Sequence, residues 1–119
     1  MNESDIIRLR HMLDCAKSAL NLVKSRTFDD LVNDRMFRMA LIKEIEILGE
    51  AATKISDETR KQLPNIPWEP IIGMRNRLVH VYYDINFRVL WITSNYNIPR
   101  LIKELEKISG LIQNEDVNT

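Results

Sequence analysis

Very little in this chain breaks a helix. Its 119 residues include three glycines and four prolines, too few for a turn-rich β fold. Cysteine occurs once, at Cys15, so no internal disulfide can form. Set among Leu13, Ala16 and Ala19, Cys15 reads as small buried filler. Histidine occurs twice, at His11 and His80, and there is no His-Glu-x-x-His pattern or cysteine pair. No metal site is expected. Gly49, Gly73 and Gly110 stand apart, so no glycine-rich loop cradles phosphates and no cofactor is expected. Net charge is also missing, because 17 basic and 17 acidic residues cancel. Any contact with nucleic acid must then come from a local patch. No uncharged apolar run approaches membrane-spanning length. The opening Met1-Asn-Glu-Ser-Asp5 lacks the regions of a signal peptide. A cytoplasmic protein with no membrane segment is the expectation.

What is present is amphipathic helix. Apolar residues make up 45% and charged residues 29%, the balance of a folded globule. The length suits one domain over residues 1–119, with a flexible polar tail from about 113 onward. Ser4 and Asp5 can cap a first helix, whose apolar seam is Ile6, Leu9, Leu13, Ala16, Leu20 and Val23. Thr27 and Asp30 resemble a capping box. A second helix is predicted from about Asp29 to about Ile55, with Leu31, Phe37, Leu41, Ile45, Leu48, Ala52 and Ile55 at helical spacing. Val32, Met39, Ile42 and Ile47 widen that stripe, which predicts the central, most buried helix. Gly49 inside it marks close packing against a neighbour. Glu46 and Glu50 share one face: they pair at the surface with Lys43 or Lys54, or line a site.

Ser56 or Asp57 can cap a short helix through Leu63, and Pro64-Asn-Ile-Pro67 is the clearest break. A helix follows from Trp68 to about Tyr82. Asn86 can cap the last helix, which Pro99 should kink or restart. Leu101, Leu105, Ile108 and Ile112 continue its stripe. The expected fold is all-α, an up-down bundle of four or five helices. The regular first seam also favours a dimer formed through helices.

The polar residues crowd into one stretch. Arg75, Asn76, Arg77, His80, Tyr82 and Tyr83 lie within nine residues. Arg offers a permanent charge and a planar fork matched to phosphate oxygens. His titrates near neutrality, at about 6.5, and can take or give a proton. Together they suit cleavage of an RNA phosphodiester. One group deprotonates the ribose 2′-hydroxyl or protonates the leaving oxygen, and the guanidinium stabilises charge on the phosphoryl oxygens. A regular helix, however, sets positions 75 and 80 about 140° apart around its axis. Either the helix distorts near His80, or two chains meet and each supplies part of the site.

Arg75-Asn-Arg-Leu-Val-His80 resembles the signature of HEPN domains. With Ile66-Pro-Trp68 ahead of it and Tyr82 behind, it is similar to the HepT-like branch, the toxin half of HepT–MNT toxin–antitoxin systems. Lys43-Glu-Ile-Glu-Ile-Leu-Gly-Glu-Ala51 and Trp91 extend the likeness over most of the chain. The resemblance implies a helical bundle that dimerises with its motifs near the interface. It implies a metal-independent endoribonuclease with Arg75 and His80 as the catalytic pair and Asn76 in support. It also implies a partner, a small (minimal) nucleotidyltransferase antitoxin that attaches AMP to Tyr82. The alternative is a non-catalytic helical subunit of a nucleotidyltransferase complex, in which the motif handles nucleotide or holds the dimer.

Overall fold

Asn2 caps the first helix, ahead of the expected Ser4 and Asp5. Its side chain accepts a hydrogen bond of 2.7 Å from the Asp5 backbone N–H, which frees the Asp5 carboxylate to turn inward. We describe a computed structural model covering residues 1–80 and 85–112, with His80 described by its backbone alone. The elements are α1 (Glu3–Val23), α2 (Phe28–Asn33), α3 (Arg35–Thr53), α4 (Asp57–Gln62), α5 (Trp68–His80), α6 (Phe87–Ile92) and α7 (Ile98–Lys107), with a π-helical turn (Thr93–Asn97) between the last two. Among the described residues there is no strand. The fold is an all-α bundle, as expected.

α3 packs between α1 and α5, and α7 closes the far side of α1. The core is built largely from the predicted stripes, with Met12 of α1 and three α5 residues added. Leu9, Met12 and Ala16 of α1 meet Leu41, Ile45 and Leu48 of α3, all fully buried. Ile71, Met74 and Leu78 turn α5 onto the same core. Each large side chain so buried stabilises the fold by about 1.5–3 kcal/mol.

The predicted helix from Asp29 to Ile55 is two helices. The chain turns extended at Asp34, which ends α2 and caps α3 by accepting from the Phe37 N–H at 3.1 Å. Asn33-Asp34 prefers side-chain-to-backbone bonding over a helix interior. Arg26 holds the Asp34 carboxylate at 3.1 Å. Arg38 donates to the Leu31 and Val32 carbonyls at the end of α2. The capping box of Thr27 and Asp30 forms as read.

The widened stripe is also corrected. α3 is central, but Met36, Met39 and Ile47 lie on its solvent side, as does Val32 on α2. α1 and α5 cover the buried stripe of α3 and leave that flank to solvent. Leu20 likewise falls outside the α1 seam and is exposed.

Gly49 does mark a close approach. A Cβ there would lie 2.2 Å from Arg75 Cβ and 3.3 Å from the Ile71 carbonyl oxygen. Only glycine lets α5 come so near. Ser56, rather than Asp57, caps α4 by accepting from the Thr59 N–H. Arg60 then donates to the Ala52 and Thr53 carbonyls at the end of α3. Pro99 restarts the last helix as expected. The Ile98 N–H reaches back five residues to Thr93, and the missing N–H of Pro99 permits that wider turn.

Candidate functional site

Arg75, Asn76 and the backbone of His80 sit in the C-terminal half of α5. Arg75 and Asn76 are described in full. Of His80 the backbone closes α5, and its side chain lies outside the described residues, as do Tyr82 and Tyr83. α5 keeps α-helical geometry through His80. Positions 75 and 80 therefore remain about 140° apart around the axis.

Arg75 is the most constrained cation of the stretch. Its stem crosses the bare backbone of Gly49 on α3. One terminal nitrogen, Nη2, donates a short hydrogen bond to Glu50 Oε2. The other, Nη1, donates to Asn76 Oδ1 at 3.0 Å. Nε is buried and finds no hydrogen-bond partner among the described residues. A guanidinium carries two N–H groups on each terminal nitrogen, so each keeps one beyond these bonds. The side chain is 21% exposed, against 57% for Lys54, which also faces Glu50 at 3.8 Å. This is a charged fork tied at both terminal nitrogens and still partly exposed, a form that suits an anion receptor.

Glu50 was legible only as a surface carboxylate or an undefined site residue. Its partner is Arg75 as well as Lys54, whereas Glu46 pairs with Lys43 at 3.9 Å. The signal was its neighbour. A glycine on the buried stripe marks where another helix crosses, and the residue after it flanks the crossing. Both carboxylates line a groove of about 510 Å³ between α1 and α3, together with Arg8, His11, Lys43 and Lys54. Cys15 is half-buried at the same groove. Burial first, then the Glu44 and Asp14 carboxylates, push its thiol up to about 11. At neutral pH it is a protonated filler and not a nucleophile.

A second polar cluster escaped the sequence reading. Asp5, read as a cap, is buried instead. Its carboxylate accepts from the Ser56 and Thr59 hydroxyls, each at 2.6 Å, and from the Ser56 N–H at 3.2 Å. Burial works to raise its pKa, but those donors and the Arg8 charge outweigh it and hold the carboxyl below the ordinary value.

The family described as ribonuclease HepT-like matches residues 12–108. The chain belongs to the HepT-like ribonuclease family. A protein of Methanocaldococcus jannaschii named as a candidate RNase is 32% identical over 111 residues, covering 93% of this chain and 92% of its own. One from Caldanaerobacter subterraneus, also named as a candidate RNase, is 35% identical over 100 residues, with 84% and 89% covered. One from Thermococcus cleftensis, named as a candidate ribonuclease HepT, is 34% identical over 100 residues, with 81% and 91% covered. No solved structure matches the chain. No described helix of this HepT-like chain is long and apolar enough to cross a membrane. The matched region contains the whole of α5 and the Glu50–Arg75 pair.

Proposed function

We propose that this HepT-like ribonuclease is the toxin of a toxin–antitoxin pair, a metal-independent endoribonuclease acting on cytoplasmic RNA. Arg75 receives the scissile phosphate and stabilises charge as it grows on the phosphoryl oxygens. His80 exchanges the proton of the 2′-hydroxyl or of the leaving oxygen. Asn76 supports the site by bonding the guanidinium. The observation that carries this reading is the Arg75 fork, tied to Glu50 and Asn76 and still 21% exposed, within a chain of a ribonuclease family.

One histidine cannot easily be acid and base in one turnover. Two copies would divide those roles, and the separation of positions 75 and 80 around α5 favours groups drawn from two chains. An apolar face suited to a second copy adjoins the motif. Met36 is 84% exposed, Met39 51% and Val79 40%. Met39, Leu78 and Val79 line a groove of about 580 Å³ there, together with Arg35, Arg38 and Glu46. A patch carrying both signs of charge can meet its own copy across a two-fold axis.

Tyr82 is the position where a small nucleotidyltransferase would attach AMP. The added bulk and negative charge at the motif would repel RNA. Digestion of RNA in EDTA tests the central reading. Wild type should cut and His80→Ala should not. Equal residual cutting by both would indicate contamination and leave a non-catalytic partner subunit as the function. After incubation with the cognate transferase and ATP, mass spectrometry should find AMP on Tyr82, and AMP at another residue would defeat that assignment.

A further inference from the structure

The ion pairs among the described residues fall into two kinds, with Arg26–Asp34, each side chain 43% exposed, between them. Lys17–Glu106, Lys43–Glu46, Lys54–Glu50 and Lys107–Glu104 each use a lysine whose side chain is more than half exposed. Arg75–Glu50 joins two different helices of the core through a cation that is 21% exposed. Pairs of the first kind contribute little and move freely. The second is built into the fold at three points. Gly49 removes the side chain that would block the Arg75 stem, since a Cβ there would sit 2.2 Å from Arg75 Cβ and 2.7 Å from its Cγ. The Nε elbow is buried. Each terminal nitrogen is then tied, Nη2 to Glu50 and Nη1 to Asn76.

We infer that Gly49 and Glu50 together form the mount that orients the Arg75 guanidinium, and that Glu50 is a positioning residue for RNA cleavage. This rests on the reading of Arg75 as the group that meets the phosphate. Glu50 acts through Arg75. A carboxylate and a phosphate repel, so Glu50 has no use against RNA directly. Its use is to fix the plane of the fork, so that the two remaining N–H groups point one way before substrate arrives. An arginine left free would lose rotamer freedom on binding and sample misdirected poses. With the mount, that ordering is completed when the protein folds, and binding need not supply it. The same contact sets the boundary of the α1/α3 groove, because Glu50 lines that groove and reaches across to α5.

The test uses the full chain and two kinds of readout. By NMR on arginine side chains, wild-type Arg75 should show hindered rotation of its terminal nitrogens, and Glu50→Gln and Glu50→Ala should release it. In single-turnover RNA cleavage, Glu50→Gln should lower the rate about tenfold and Glu50→Ala about a hundredfold, the scale of a misplaced reacting group. Glu50→Asp should recover part of the loss. The RNA concentration at half-saturation should stay within about twofold, because orientation and not encounter is what fails. Gln matches Glu in shape, and an unchanged melting temperature for Glu50→Gln shows that the bundle persists. Wild-type cleavage by Glu50→Ala would overturn the inference. So would an Arg75 already rotating freely in the wild type, or weakened binding at an unchanged rate. If wild type cuts no RNA while Glu50 restrains Arg75, the ribonuclease reading fails and the mount survives only as a structural contact.

Discussion

Asp5 and Glu50 are both carboxylates that tie one helix to another, and they end in opposite uses. Asp5 on α1 takes its hydrogen bonds from neutral donors, the Ser56 and Thr59 hydroxyls and the Ser56 N–H. The Asn2 side-chain amide adds a fourth neutral donor at 3.2 Å, and the carboxylate itself is buried. Glu50 on α3 takes one bond from a guanidinium that keeps N–H groups to spare, on a side chain that still meets solvent. The first arrangement can only hold the fold together. The second holds the fold and also presents a charged donor. Burial depth alone does not separate a structural polar group from a working one. What separates them is whether the partner has unused bonding capacity facing outward.

The widest gap between the two clusters should appear when each central group is removed. Arg75→Ala should lower RNA cleavage by about a thousandfold, the loss of a donor aimed at developing charge. Its melting temperature should fall by no more than about 5 °C, since the lost stem covers little beyond Gly49. Circular dichroism and a thermal melt check the fold, and cleavage kinetics check the site. Gross unfolding would place Arg75 with the structural group and erase the distinction.

Asp5→Ala should do the reverse. It removes the acceptor of the buried Thr59 hydroxyl and of the half-buried Ser56 hydroxyl and N–H, which costs about 2–3 kcal/mol of stability in denaturant titration. The cleavage rate of the remaining folded protein should not change. The same cluster predicts acid sensitivity. The folded Asp5 carboxyl titrates below its ordinary value, so the unfolded chain binds the proton first as pH falls. The stabilisation is present above the ordinary carboxylate pKa of about 3.9 and is lost progressively below it. Denaturation midpoints compared between neutral pH and about pH 3 should show a smaller drop for Asp5→Asn than for wild type.

Both clusters also show how far sequence reasoning reaches. Helical spacing found Leu41, Ile45 and Leu48, because burial is written into a 3.6-residue period. Local chemistry found the Thr27–Asp30 box and the Pro99 restart. The break at Asp34 was hidden because apolar residues continue in register on both sides of it. The clusters were hidden for another reason. Asp5 and Ser56 are 51 residues apart and Arg75 and Glu50 are 25 apart. No local pattern pairs them. The exception is Gly49, whose missing side chain foretold a crossing helix without saying that Arg75 would be the residue crossing.

Gly49→Ala probes the one point where stability and function share an atom. The new methyl must displace the Arg75 stem or push α5 away, because the Ile71 carbonyl blocks the other side at 3.3 Å. Overpacking of this kind costs about 1–3 kcal/mol. Here it should also misdirect the guanidinium, so cleavage should fall about tenfold beyond what loss of folded protein explains. A variant that is destabilised yet cleaves at the full rate per folded molecule would show that the crossing serves packing alone.

The smallest effect should come from Lys54→Ala, and it decides what Glu50 depends on. Lys54 faces Glu50 Oε1 at 3.8 Å, while Arg75 engages Oε2. If both cations shared the work, removing either would loosen the carboxylate. The lysine, however, is 57% exposed and joins Glu50 along a single helix at i,i+4 spacing, a geometry worth about 0.3–0.5 kcal/mol. Its loss should shift the melting temperature by about 2 °C or less, leave Arg75 rotation hindered, and become undetectable in high salt. An Arg75 released by Lys54→Ala would mean that Glu50 is steered from its own helix, and the mount would then span three residues of α3 and not two.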